Sequence, residues 1–114
     1  MNGMTNFKSS FAKQSHFQSV VTGAICPGDN LEHFCYHVNA MVEELGEVMK
    51  ADKRWKTHRN ARYERDEKLD ELSDVFITAM NMAIHSGFSA EDMELAIERK
   101  IKENYQRLGI QEVD

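Results

Sequence analysis

From Leu31 to Met49 the apolar side chains return at steps of three and four: Leu31, Phe34, Cys35, Val38, Met41, Val42, Leu45, Val48 and Met49. This spacing keeps them on one side of an α-helix and would scatter them over both faces of a strand. The same period returns in Leu69, Leu72, Phe76, Ala79, Met80 and Ala83, and again in Met93, Ala96, Ile97, Ile101, Tyr105 and Leu108. No segment alternates apolar and polar residues, and a single proline in 114 residues leaves long helices intact. The chain is therefore read as all-α, one domain over residues 1–114 with four helices. An N-terminal helix and turn fill 1–28, and the remaining helices lie within 31–108.

Local signals set the expected boundaries. Phe7, Phe11, Phe17, Val20 and Val21 form one face of a first helix; the stretch is free of acids, as transit peptides are, but holds no arginine. Cys26-Pro27-Gly28-Asp29-Asn30 is a turn with a helix N-cap at Asp29 or Asn30. The second helix is expected to reach about Trp55, with a break in Thr57 to Asn60 and the third helix starting within 60–67. Gly87 suits the left-handed position that ends a helix. Ser89, with Asp92 three residues on, suits a capping box, and Gly109 closes the fourth helix. Val75 to Ile84 is apolar nearly all round, so it is expected to be buried on more than one side. In so small a chain the extra coverage would come from another subunit, in a homodimer or homotetramer.

Composition narrows the partners. Nineteen acids against fourteen bases give a net charge of −5, which argues against a nucleic-acid partner. No apolar run is long enough to span a bilayer, which argues against a membrane partner. Two cysteines, Cys26 and Cys35, are too few for a disulfide framework. With no secretory signal at the start, they are expected to be reduced thiols in a cytoplasmic protein.

The chemistry lies in the carboxylates. Glu44 and Glu47 on the second helix are about 60° apart around the axis and one turn apart along it. Glu71 and Asp74 on the third helix have the same relation. Both pairs border apolar faces, where unpaired charge is expensive. Ala40 and Ala51, on the Glu44/Glu47 stripe, leave room beside the acids. Four oxygen donors brought together suit a hard cation, Mg²⁺ or Mn²⁺, better than zinc. Taken singly, each pair also fits an ordinary solvated helix face.

On the fourth helix Lys100, Asn104 and Arg107 share one stripe. They can contact a polyphosphate, with Arg doing so bidentately, or sit in solvent near a helix C-terminus. His33 and His37, at i and i+4, suit a transition metal, but no third nitrogen or sulfur ligand has convincing spacing, so a zinc site is not expected. His37 also extends the acidic stripe and can border a nucleotide pocket. Trp55 either stacks on a base or covers the end of the bundle. Asn81 and His85 extend the Asp74 side of the third helix as weaker pocket candidates. There is no phosphate-cradling GxxxxGK[ST] loop, no nucleophile–base pair, and no E-x-x-H of the ferritin-like di-metal kind.

Glu43-Glu44-Leu45-Gly46-Glu47, followed by Asp70-Glu71-Leu72-Ser73-Asp74, resembles the EExxE…ExxD signature of MazG-type enzymes. These are all-α nucleoside triphosphate pyrophosphatases, with dimeric dUTPases and dCTP pyrophosphatases among their relatives. Trp55-Lys56 and the apolar segment after Asp74 are similar to that family too. Lys100, Asn104 and Arg107 match its KxxxNxxR element, so the resemblance spans about residues 31–108. It implies a four-helix MazG-like bundle completed by oligomerisation. It also implies that Glu44, Glu47, Glu71 and Asp74 hold Mg²⁺, with Mn²⁺ as substitute, and carry catalysis. Lys100, Asn104, Arg107, His37 and Trp55 would bind substrate. The expected activity is metal-dependent hydrolysis of an NTP or dNTP to the monophosphate and pyrophosphate, in nucleotide-pool house-cleaning. The alternative from another class is a non-catalytic helical oligomer that senses nucleotide or metal.

Overall fold

The computed structural model describes residues 6–22, 31–56 and 62–112. Among them are four helices, α1 (Phe7–Thr22), α2 (Leu31–Ala51), α3 (Arg65–His85) and α4 (Ala90–Leu108), and no strand beyond an isolated antiparallel bridge between Asp52 and Tyr63. No helix among the described residues is long and apolar enough to cross a membrane. The expected turn at Cys26 to Asn30 and the break at Thr57 to Asn60 lie outside the described residues.

Several helix ends have a local chemical cause. The Asn6 side chain accepts from the Ser9 backbone N–H at 2.8 Å, capping the first turn of α1. Helix α2 carries Glu32 in its first turn and Lys50 in its last, charges that suit the helix dipole. It ends at Ala51, four residues short of the expected Trp55. The Asp52 carboxylate accepts from both the backbone N–H and the guanidinium of Arg54, which turns the chain out of the helix. The Lys53 and Glu64 N–H groups then donate to Arg62 and Ala51 carbonyls at 2.7 and 3.0 Å, closing the return into α3. At the far end of α3, Gly87 adopts φ 87°, and Phe88 and Gly87 donate to the carbonyls of Ala83 and Ile84. That pair of bonds is the Schellman closure, which requires the left-handed residue. Ser89 and Asp92 then form the capping box of α4, and Gly109 at φ 66° ends it.

Helices α2 and α3 are an antiparallel pair: Ala51 meets Glu64 at one end, and the His37 ring lies on that of His85 at the other. Helix α1 runs parallel to α3. Gln14 donates to Asn81 at 2.8 Å, and one turn later Gln18 bonds His85 at 3.0 Å. The small apolar core lies where α1, the end of α3 and the start of α4 meet. Phe11, Ala83 and Ile84 are buried there, with Phe7, Met80, Ala90 and Met93 packed around them. On the expected face of α1, Phe11 goes inward while Phe17, Val20 and Val21 stay exposed.

The four helices do not close on one another within a single chain. Helix α4 packs against α1, and no residue of α4 is buried. The radius of gyration is 17.1 Å, against about 13 Å for a compact domain of ~100 residues. The accessible surface is 8896 Å², against about 6,400 Å² for a compact monomer of 13.2 kDa. On the apolar segment of α3, Thr78, Ala83 and Ile84 are buried, whereas Phe76 is 72 % exposed.

Candidate functional site

The antiparallel pairing of α2 and α3 brings the two carboxylate pairs face to face. One oxygen from each of Glu44, Glu71 and Asp74 lies within 4.8 Å of the other two. Glu44 and Glu71 are half-buried and Asp74 is exposed at the rim. Desolvation first, then the Asp74 charge, pushes the Glu44 carboxyl above its ordinary value; Glu43 and Glu47 add to the push. Glu71 moves the same way, through desolvation, then Asp74, Glu47, Glu44 and Glu67. Glu47, the fourth expected acid, is close enough to be felt by Glu44 and Glu71 but pairs with Lys50 at 3.5 Å.

Beside the acids opens a cavity of about 510 Å³, walled by α1, α2 and α3. That size is within the range of small-ligand pockets. Glu44 belongs both to the acid cluster and to the cavity wall, and Ala40 beside it keeps the space open. His37, Asn81 and His85, all pocket candidates from the sequence, line it.

At the other end of the cavity the structure assembles what spacing did not disclose. Ring nitrogens of His33, His37 and His85 lie within 4.8 Å of one another. The third ring nitrogen near His33 and His37, for which no residue had convincing spacing in the sequence, comes from α3. His85 is far off in sequence and is brought alongside by the antiparallel pairing. Burial lowers the His37 pKa, helped by His85 and then His33, and burial followed by His33 lowers that of His85. Neutral imidazoles are thereby favoured.

The remaining expected residues lie elsewhere. Lys100 pairs with Glu103 at 3.4 Å, and Arg107 donates to Asn104 at 3.0 Å. No hydrogen bond or ion pair among the described residues joins this stripe to the acids; α4 packs on α1, and only its start, at Ala90 and Met93, reaches the core at the end of α3. Trp55 does not line the cavity. Its indole N–H donates to the Met49 carbonyl at 3.2 Å, and the residue is 53 % exposed, with the Lys56 ammonium beside its ring. Searches against protein-family profiles, curated proteins and solved structures find no match to this chain.

Proposed function

We propose that the chain is a divalent-cation-dependent nucleoside triphosphate pyrophosphohydrolase, with a MazG-like helical fold completed by oligomerisation. The observation that carries the reading is the convergence of Glu44, Glu71 and Asp74 from two helices to within 4.8 Å. Mutually repelling oxygens of this kind fit a hard cation such as Mg²⁺, and desolvation together with the neighbouring carboxylates raises Glu44 and Glu71. When bound, the cation supplies neutralisation of phosphate charge and lowers the pKa of water. Glu44, Glu71 and Asp74 would hold it, with Glu47 adding charge. One carboxylate of the cluster would orient or deprotonate the attacking water. The cavity beside Glu44 supplies a place for the nucleoside, and Lys100, Asn104 and Arg107 supply donors for the phosphates. Those donors stand on a helix that packs away from the acids, so a complete site would draw α4 from a second chain.

The test is release of pyrophosphate from a panel of NTPs and dNTPs in Mg²⁺, read as phosphate after adding inorganic pyrophosphatase. Turnover by the wild-type chain that disappears in Asp74→Asn supports the reading. No turnover of any nucleotide by a folded, Mg²⁺-bound chain would overturn it.

A further inference from the structure

We propose that His33, His37 and His85 form a second metal site, for a borderline transition-metal ion of the Zn²⁺ class, at the opposite end of the cavity from the carboxylates. The inference does not depend on the proposed hydrolysis. Three of the chain's five histidines meet here, from two helices, with ring nitrogens within 4.8 Å of one another. His33 and His37 are one helical turn apart, the spacing that lets two imidazoles on one helix serve one ion.

His85 makes the cluster more than a group of neighbours. Its side chain is buried, at 4 % exposure. Its Nε2 lies 3.0 Å from the carboxamide oxygen of Gln18. A carboxamide oxygen only accepts, so Nε2 carries the proton and Nδ1 carries a bare lone pair. That Nδ1 is buried and has no hydrogen-bond partner among the described residues. A buried, unpartnered acceptor is costly, and native structures rarely keep one without a use for it. Fixing one ring nitrogen as donor to an oxygen, so that the other is free for a metal, is how ligating histidines are oriented. Gln18 on α1 does this from outside the α2–α3 pair.

The set is all nitrogen, which selects Zn²⁺, Co²⁺ or Ni²⁺ over Mg²⁺. The rings of His37 and His85 are stacked at 4.6 Å. Ligation at a metal–nitrogen distance of about 2.0–2.1 Å needs the nitrogens to close to roughly 3.3 Å. Rotation of the His33 and His37 rings about their broad terminal torsions would allow that approach while His85 stays on Gln18. Three protein nitrogens leave a fourth position, and the cavity gives it room for water or a ligand group.

The experiment is titration of the full-length chain with Co²⁺ in excess Mg²⁺, followed by the visible d–d bands of tetrahedral cobalt, with Zn²⁺ then added in competition. The expected result is one Co²⁺ per chain, displaced by Zn²⁺. His33 is half-buried, so His33→Gln should keep the helical circular dichroism while weakening binding by about 100-fold or more. Gln18→Leu, which removes the orienting oxygen but no ligand, should weaken binding by about 10–100-fold. His16→Gln, at an exposed position on α1, should bind as the wild type does. Absence of saturable d–d bands in the wild type would overturn the proposal. So would unchanged binding in His33→Gln, or binding lost in Glu44→Gln but kept in the histidine variants. None of these readouts uses nucleotide turnover, so the two proposals fail separately.

Discussion

Asp52, one residue past the end of α2, accepts from the Lys68 ammonium in the first turns of α3 at 2.8 Å while also holding the Arg54 guanidinium. The ion pair spans the crossing between the two helices that carry the acids. Arg54 and then Lys68 hold the Asp52 carboxyl well below the usual carboxylate range. A carboxyl depressed on folding contributes stability that is full above its unfolded value, ~3.9, and lost as pH falls below it. Asp52→Asn should therefore lower Tm by a few degrees at pH 7 and flatten its decline below about pH 4. Thermal melts from pH 2 to 7 check both.

Substituting an acid of the cluster should separate stability from activity. Asp74→Asn removes a charge that pushes on Glu44 and Glu71, so the cation-free protein should melt higher than wild type. The rise in Tm that Mg²⁺ gives the wild type should vanish, and kcat should fall by about 100-fold or more. Glu47→Gln, outside the converged trio, should retain more activity than Asp74→Asn. Differential scanning fluorimetry with and without Mg²⁺, alongside the pyrophosphate assay, gives both readings.

Gly46 sits inside α2 between Glu44 and Glu47, and a methyl group placed there would meet nothing within 4 Å. A helix-interior glycine is less stable than alanine by roughly 0.5–1 kcal/mol. Gly46→Ala should raise urea-unfolding stability by about that amount if the position stays open. A loss of stability that grows with protein concentration would mean that a second chain packs against Gly46.

Ser89 accepts from Asp92 N–H at 3.0 Å, and the Asp92 carboxylate accepts from Ser89 N–H at 2.9 Å. The box starts α4 directly beside Ala90 and Met93, which pack against the core. Ser89→Ala should cost about 0.5–2 kcal/mol of stability, read as a lower urea midpoint with an unchanged slope.

The cation stripe of α4 gives a prediction about the proposed assembly. Losing one charge-assisted bond to phosphate, worth about 1.5–3 kcal/mol, should lower kcat/KM by roughly 10–150-fold in Lys100→Ala. If the stripe serves another chain's acids, mixing Lys100→Ala with Asp74→Asn should restore part of the activity that each lacks alone. Sedimentation equilibrium of the wild type should show a dimer or tetramer.

The features written in adjacent residues were legible in the sequence. Gly87, Ser89 with Asp92, and Gly109 act through bonds to residues no more than five away, and each took its expected place. The i, i+3 pairing of the acids placed Glu71 with Asp74, and Glu44 with them once α2 and α3 paired. The clustering of His85 with His33 and His37 was not legible because its neighbours lie on another helix. The signal was available in the antiparallel pairing: two turns before Glu44 on α2 is His37, and the matching two turns after Asp74 on α3 reach Asn81, one turn from His85. The end of α2 at Ala51 was missed for a similar reason, since apolar spacing is blind to a carboxylate that gathers Arg54 and Lys68. The placement of α4 on α1 depends on which apolar faces meet, and periodicity shows only that such faces exist.

Phe76 stands 72 % exposed on α3, with Phe34, Val42, Leu45 and Leu72 also open on the α2–α3 pair. Exposed apolar surface is what quality-control proteases and chaperones sort on in a cell. A newly made chain thus carries a visible mark of unfinished burial. If a second chain covers that surface, as proposed, abundance should respond steeply to expression level, with scarce chains cleared and plentiful ones persisting.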